Sequence, residues 1–128
     1  MPRFVVLRHE SPHGVHFDFM LEAGDVLKTW ALPQPPQPGV EMECMALADH
    51  RLAYLDYEGP LSGDRGTVTR WDYGEYTVER QTAMQWVLDM AGDKIRGTAT
   101  LHSPAVDPDK WFFRFVCHPN VPGSETAV

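Results

Sequence analysis

The chain is short of positive charge and nearly free of cysteine. Eleven lysines and arginines stand against 18 aspartates and glutamates in 128 residues, a formal net charge of −7. That shortage argues against broad attachment to a phosphate backbone, which needs a basic surface. It leaves room for a small site that handles one phosphate through a metal ion, because a bound divalent cation is often the largest local charge in its site. The two cysteines, Cys44 and Cys117, have no CxxC spacing and lie in hydrophobic surroundings. They read as reduced core thiols, not as a disulfide or zinc pair, and a reducing cytoplasm is the expected compartment. No apolar run approaches the 18 or so residues of a helical membrane span. Met1-Pro2-Arg3-Phe4 leads straight into a strand-like run, so no signal peptide is expected. No internal repeat or low-complexity tract is present.

What the chain does contain is short apolar runs separated by turn signals. Its length is one domain's worth, and 43% apolar content is enough to build a core. The pattern predicts strands at 3–8, 15–22, 25–32, 42–47, 66–71, 75–79, 84–90, 95–101 and 111–117. Hairpin turns are expected at 10–14, at Ala23-Gly24 and at Gly92-Asp93, and Asp72-Tyr73-Gly74 reads as a tight turn. The proline-rich segment 33–39 cannot pair in a ladder and is expected to be an exposed loop. Residues 103–110 read as another loop, 44–50 and 79–85 as helical turns, and 119–128 as a frayed tail after a domain spanning 1–118. The expected fold is mostly β: a compact single-domain β-barrel of about eight strands, closed or nearly closed because closure removes exposed edges, with short helical turns. A small barrel can carry a polar site on its concave face.

The segment Phe4 to Glu22, FVVLRHESPHGVHFDFMLE, sets three polar groups in an apolar frame. On a strand, His16 and Asp18 share one face with Met20 and Glu22, while Phe17, Phe19 and Leu21 share the other. A hairpin through 10–14 returns His16 close to His9. Two imidazoles and a carboxylate suit a divalent transition metal and leave positions open for water or substrate. An H-x-D pair alone is a weak signal, so the residues themselves leave both a metal site and an ordinary polar strand face open. A second constellation, Asp49-His50-Arg51-Leu52-Ala53-Tyr54, sets a histidine and a tyrosine four apart. Imidazolium and phenol both donate to phosphate oxygens. By itself the segment reads more readily as a surface turn with a packing tyrosine.

In order along the chain, these blocks resemble the 3′-phosphoesterase domain of bacterial ligase D, the repair ligase of non-homologous end joining. That family opens with a pattern like F-V-V-x-x-H-x-A-x-x-L-H-Y-D-F-R-L-E followed by x-x-G-V-L-x-S-W-A-V-P. The present chain has FVVLRHESPHGVHFDFMLEAGDVLKTWALP. E-D-H-P-L-x-Y-x-x-F-E-G is matched by ADHRLAYLDYEG at 48–59, and G-x-V-x-x-W-D-x-G-x-W by GTVTRWDYGEY at 66–76. A weaker match runs through 86–101 and 111–116. The resemblance implies a compact β-barrel with manganese, or cobalt or zinc, held by His9, His16 and Asp18. It also implies a phosphate site with His50 and Tyr54 in catalytic and substrate-binding roles. Arg51 is a further substrate-binding candidate, and Glu22 could orient a ligand from behind the metal. The implied activity is a metal-dependent hydrolase that removes a 3′-ribonucleoside or 3′-phosphate from primer–template ends in DNA repair. It would need no covalent enzyme nucleophile. A monomer is expected, off the membrane, with repair ligase or polymerase as partners.

The chain departs from that pattern at several points. The arginine of D-F-R-L-E is Met20, a second arginine is matched by Met42, and the acid of E-D-H is Ala48. One extra residue separates His9 from His16, and the intervening His13 is an alternative ligand, although His9 keeps the register. Arg8, Arg51 and Arg70 are candidate replacement cations. Two other readings stand beside the enzyme: a catalytically impaired module that binds metal and nucleic-acid ends, and a small-molecule phosphoesterase. His102 and His118 read as solvated positions. Trp30, Trp71, Trp86 and Trp111 read as barrel packing and not as base-stacking platforms.

Overall fold

The computed structural model describes residues 1–104 and 109–117. Alternation sets its elements. Along Gln85–Gly92, the residues Trp86, Leu88 and Met90 are buried while those between them are not, and the same two-residue period runs through Arg96–His102 and Lys110–Cys117. In order, the strands are β1 (Arg3–Ser11), β2 (Gly14–Ala23), β3 (Val26–Leu32), β4 (Met42–Arg51), β5 (Gly59–Pro60), β6 (Thr67–Thr82), β7 (Gln85–Gly92), β8 (Arg96–His102) and β9 (Lys110–Cys117). A 3-10 turn, Leu52–Leu55, follows β4.

These strands form one sheet in the order β1-β2-β3-β4-β9-β8-β7-β6-β5, and β1 also pairs with β6. Eight strands therefore close into a ring, with β5 appended to β6. Its interior is one apolar cluster to which all eight contribute, including Phe4, Phe19, Trp30, Leu88, Leu101 and Phe113. Trp30 sits edge-on to Trp86 at 5.9 Å and to Trp111 at 5.6 Å, so three of the four tryptophans pack together inside. Trp71 is partly buried against the same cluster. A second cluster of Val5, Leu7, Met20, Leu27, Leu55 and Val68 lies on the opposite face of β1–β3 and β6. The 3-10 turn and the chain after it cover it, with Leu52, Tyr54 and Leu61 packed on top.

Several sequence expectations are corrected. Segments 66–71 and 75–79 are one continuous strand, β6, whose first half pairs with β1 and whose second half pairs with β7. Asp72-Tyr73-Gly74 is thus no turn. The Asp72 carboxylate is buried and accepts backbone N–H groups from Asp93 (2.9 Å), Lys94 (3.1 Å) and Ile95 (2.8 Å). It organises the β7–β8 turn from the neighbouring strand. Asp72→Ala, which strands three donors, should cost about 2–4 kcal/mol in urea unfolding, with Asp72→Asn in between. The expected helical turns at 44–50 and 79–85 are strand: β4 runs through the first, and β6 and the tight β6–β7 hairpin take up the second. Loop 33–39 is pinned where Gly39 donates to the Phe115 carbonyl at 2.8 Å.

Both cysteines are free, but only Cys44 is buried; Cys117 is exposed. Burial pushes the Cys44 thiol up to about 12. His102 stacks on Phe112 at 5.5 Å. His118, Pro108 and the tail at 119–128 lie outside the described residues. Among the described residues no helix is long and apolar enough to cross a membrane.

Candidate active site

The β1–β2 hairpin turns through Pro12-His13 and pairs His9 with His16, Leu7 with Asp18 and Val5 with Met20. Directly opposed residues in an antiparallel pair point to the same side. The register therefore puts His9, His16 and Asp18 together, on the face that carries Leu7 and Met20. Phe17 and Phe19 go to the interior. The polar site thus lies on the outer wall of the ring, beneath the segment that follows β4, and not on the concave face.

One donor atom from each of His9, His16 and Asp18 lies within 4.8 Å of the others. His9 Nδ1 is 3.1 Å from His16 Nε2 and 3.3 Å from Asp18 Oδ2, and His16 Nε2 is 3.0 Å from Asp18 Oδ1. Ligands at right angles on one ion, with bonds near 2.1 Å, are separated by about 3 Å. His9 Nε2–H donates to the Arg65 carbonyl at 2.7 Å, which fixes the tautomer and leaves the Nδ1 lone pair aimed at the carboxylate. The Asp18 side chain is only 5% exposed, and its Oδ1 has no hydrogen-bonding donor despite the near contact with His16. Lone pairs that converge on a buried, unsatisfied carboxylate oxygen fit a cation between them. The short contact with Asp18 holds His16 above the ordinary histidine range, against the opposing effect of burial. His13 is exposed in the turn, with its N–H on Ser11 Oγ at 3.2 Å, and stands outside the triad.

His50 reaches the same face through a β-bulge. β3 and β4 pair as Trp30–Ala46 and Thr29–Leu47, then slip so that Leu27 faces His50. Regular alternation from Ala46, which packs on the interior cluster, would turn His50 inward; the extra residue turns it outward. Its Nδ1–H donates to the Ala48 carbonyl at 2.8 Å, and its ring meets Tyr54, on the 3-10 turn, at 5.8 Å. His9, Asp18, His50, Tyr54 and Arg65 together line a cavity of about 60 Å³, floored by Leu7, Met20 and Val68. That is room for a phosphate-sized group and not for a nucleoside.

Arg65 is the site residue that sequence reasoning missed. It lies in a turn closed by Leu61 N–H on the Gly66 carbonyl at 2.8 Å, pressed against β1. Gly66 has φ +96°, and a Cβ there would sit 1.7 Å from the Glu10 carbonyl oxygen, so only glycine permits the approach that carries Arg65 to His9. The glycines at 63 and 66 were the available signal.

The other candidates are placed differently. Arg8 pairs with Glu10 at 3.3 Å, and Arg70 lies over the Tyr73 ring at 4.1 Å. Arg51 lines an adjoining pocket. Glu22 accepts the Arg3 N–H at 2.8 Å and lies about 13 Å along β2 from Asp18, at ~3.3 Å per residue. Met42 belongs to the interior cluster, whereas Met20 is a wall of the cavity, 1% exposed. Met20→Ala should cost about 2–5 kcal/mol in urea unfolding, because it opens a void beneath the covering segment.

The family described as the DNA Ligase D 3′-phosphoesterase domain matches residues 7–103. The multifunctional non-homologous end joining protein LigD of Pseudomonas aeruginosa is 36% identical over 80 residues, 59% of this chain and 9% of the relative. The multifunctional non-homologous end joining DNA repair protein LigD of Mycobacterium tuberculosis is 31% identical over 117 residues, 84% of this chain and 15% of the relative. The Mycobacterium bovis protein gives the same figures. The chain thus spans 9–15% of the length of these curated relatives.

Proposed function

Because the chain belongs to the DNA ligase D 3′-phosphoesterase domain family, we propose that it is a metal-dependent phosphoesterase that removes a 3′-phosphate, or a 3′-ribonucleoside, from nucleic-acid ends during end joining. The observation behind this reading is the convergence of His9 and Asp18 with His50 and Tyr54 on one small cavity.

His9 Nδ1, His16 Nε2 and Asp18 are the donors that would hold the ion, and manganese is the metal we assign to them. A divalent ion there supplies Lewis-acid polarisation of a phosphoryl oxygen. The Arg65 carbonyl orients His9 for that task. With Nδ1–H engaged by the Ala48 carbonyl, His50 has Nε2 left to carry a proton to a phosphate oxygen. The Tyr54 hydroxyl completes the donors around the phosphate. The apolar floor of Leu7, Met20 and Val68 contributes no charge, so orientation falls to the rim.

The direct test is a primer ending in a 3′-phosphate, incubated with the protein and manganese. Inorganic phosphate and a 3′-hydroxyl primer are expected, and EDTA should stop both. No release with manganese, cobalt or zinc would overturn the enzyme reading in favour of an end-binding module.

A further inference from the structure

The cavity at the triad is too small for more than the phosphate itself, so the rest of any substrate lies outside it. One concavity adjoins the triad at His16 and another adjoins the small cavity beside it. The larger, about 630 Å³, begins at His16 and is lined by Glu43, Asp109 and Lys110, with Lys110 already 3.8 Å from the Glu43 carboxylate. The other, about 300 Å³, is lined by Arg51, Tyr54, Tyr57, Ser62 and Arg65 among others, with no carboxylate in its walls. It shares Tyr54, Leu61 and Arg65 with the triad cavity. In a chain of net charge −7, an anionic strand leaving the triad is drawn to the second and repelled by the first.

We propose that the Arg51–Tyr57–Arg65 pocket is a nucleotide subsite, which holds the terminal nucleoside against Tyr54 and Tyr57 and its 5′-phosphate on Arg51 and Arg65. This rests on the phosphoesterase reading and extends it to the substrate's next unit. The volume lies at the lower end of the ligand-pocket range, roughly 300–1,000 Å³, which suits one nucleotide unit and not a duplex. Tyr54 and Tyr57 meet edge-on at 5.9 Å, and the Tyr57 hydroxyl is tied to the Pro60 carbonyl, so the aromatic walls are set before a base arrives. Arg65 is steadied by Nε–H on the Ser62 carbonyl at 2.8 Å and by Nη2–H on Ser62 Oγ at 3.1 Å, with Nη1 left over for an anion. Among the described residues neither Arg51 nor Arg65 is within 4.0 Å of a carboxylate. Guanidinium forks at the rim match phosphodiester oxygens bidentately. Arg65 is also the triad cavity's sole permanent cation, placed between the two phosphates.

The test compares two probes that differ by one group, a nucleoside 3′-phosphate and the corresponding nucleoside 3′,5′-bisphosphate. Their binding is measured calorimetrically in EDTA, so that no turnover occurs. The bisphosphate should bind about tenfold more tightly to the wild type. Arg51→Gln should erase that advantage and leave the 3′-phosphate affinity unchanged, while Arg65→Gln, which keeps the main-chain carbonyl on His9, should weaken both. An absent advantage, or one that survives Arg51→Gln, overturns the subsite. Should the wild type process a 3′-phosphorylated primer without any bisphosphate advantage, the subsite falls and the phosphoesterase stands. Should the Arg51-dependent advantage appear without turnover on any primer, the phosphoesterase falls and the subsite stands.

Discussion

His50→Ala is expected to lower phosphate release from a 3′-phosphorylated primer by about 10²–10⁴-fold, the usual contribution of a positioned acid or base. The fold should barely notice. His50 sits near the end of β4, makes one side-chain hydrogen bond to the neighbouring Ala48 carbonyl, and touches Tyr54 only across a ring edge. Loss of one such bond costs about 1 kcal/mol. Manganese binding should be unaffected, because the three donor residues lie on β1 and β2. His50→Gln is the informative companion: it can hydrogen-bond a phosphate but cannot pass a proton, so a defect as deep as that of alanine points to proton transfer. Wild-type activity in His50→Ala would refute the role given to this residue, without touching the family assignment.

Asp18→Asn should remove most of the response to manganese. Its carboxylate is the triad's only anion, and an amide is a far poorer ligand for a divalent ion. For the wild type, manganese at about 100 times its dissociation constant should stabilise the fold by about 2.7 kcal/mol, on the order of 10 °C in a domain of this size. That shift should collapse in Asp18→Asn. The metal-free proteins should differ little. The variant loses the charge facing His16, but it also loses a buried oxygen that has no donor, and the two effects oppose one another. A manganese shift of equal size in both proteins would refute the triad as the metal site. Thermal scans with and without EDTA are sufficient, and they read binding independently of turnover.

Much of the geometry of His9, His16 and Asp18 was legible along the chain. Two apolar runs with a two-residue period, joined by a turn expected over 10–14, bring His16 back toward His9 and set His16 and Asp18 across the strand from Phe17 and Phe19; the structure tightens that turn to Pro12-His13, so that His9 directly opposes His16. Such reasoning is local, because a strand's period and a tight hairpin's register depend only on neighbouring residues. The same locality produced the misreading at Asp72. Its D-Y-G segment has turn residues, yet the carboxylate serves three N–H groups of the distant β7–β8 turn, and the strand continues through it.

By itself, then, the sequence determined the β class, most of the strand segments, the shared face of His16 and Asp18, and the return of His16 toward His9. Tertiary structure alone decided which side of the sheet that face would be. The interior cluster formed from the opposite residues of eight strands, so the triad was left on the outer wall. It also decided that His50 would join the site, since a bulge turns a side chain over and is set by pairing with β3, not by anything visible within β4. Arg65 depends on long-range packing in the same way. Fifty-six residues separate it from His9, and only the press of the Gly66 turn against β1 brings its carbonyl to the imidazole. Periodicity is written into adjacent residues, whereas a bulge or a loop seated on a distant strand is selected by the energy of the whole packed sheet.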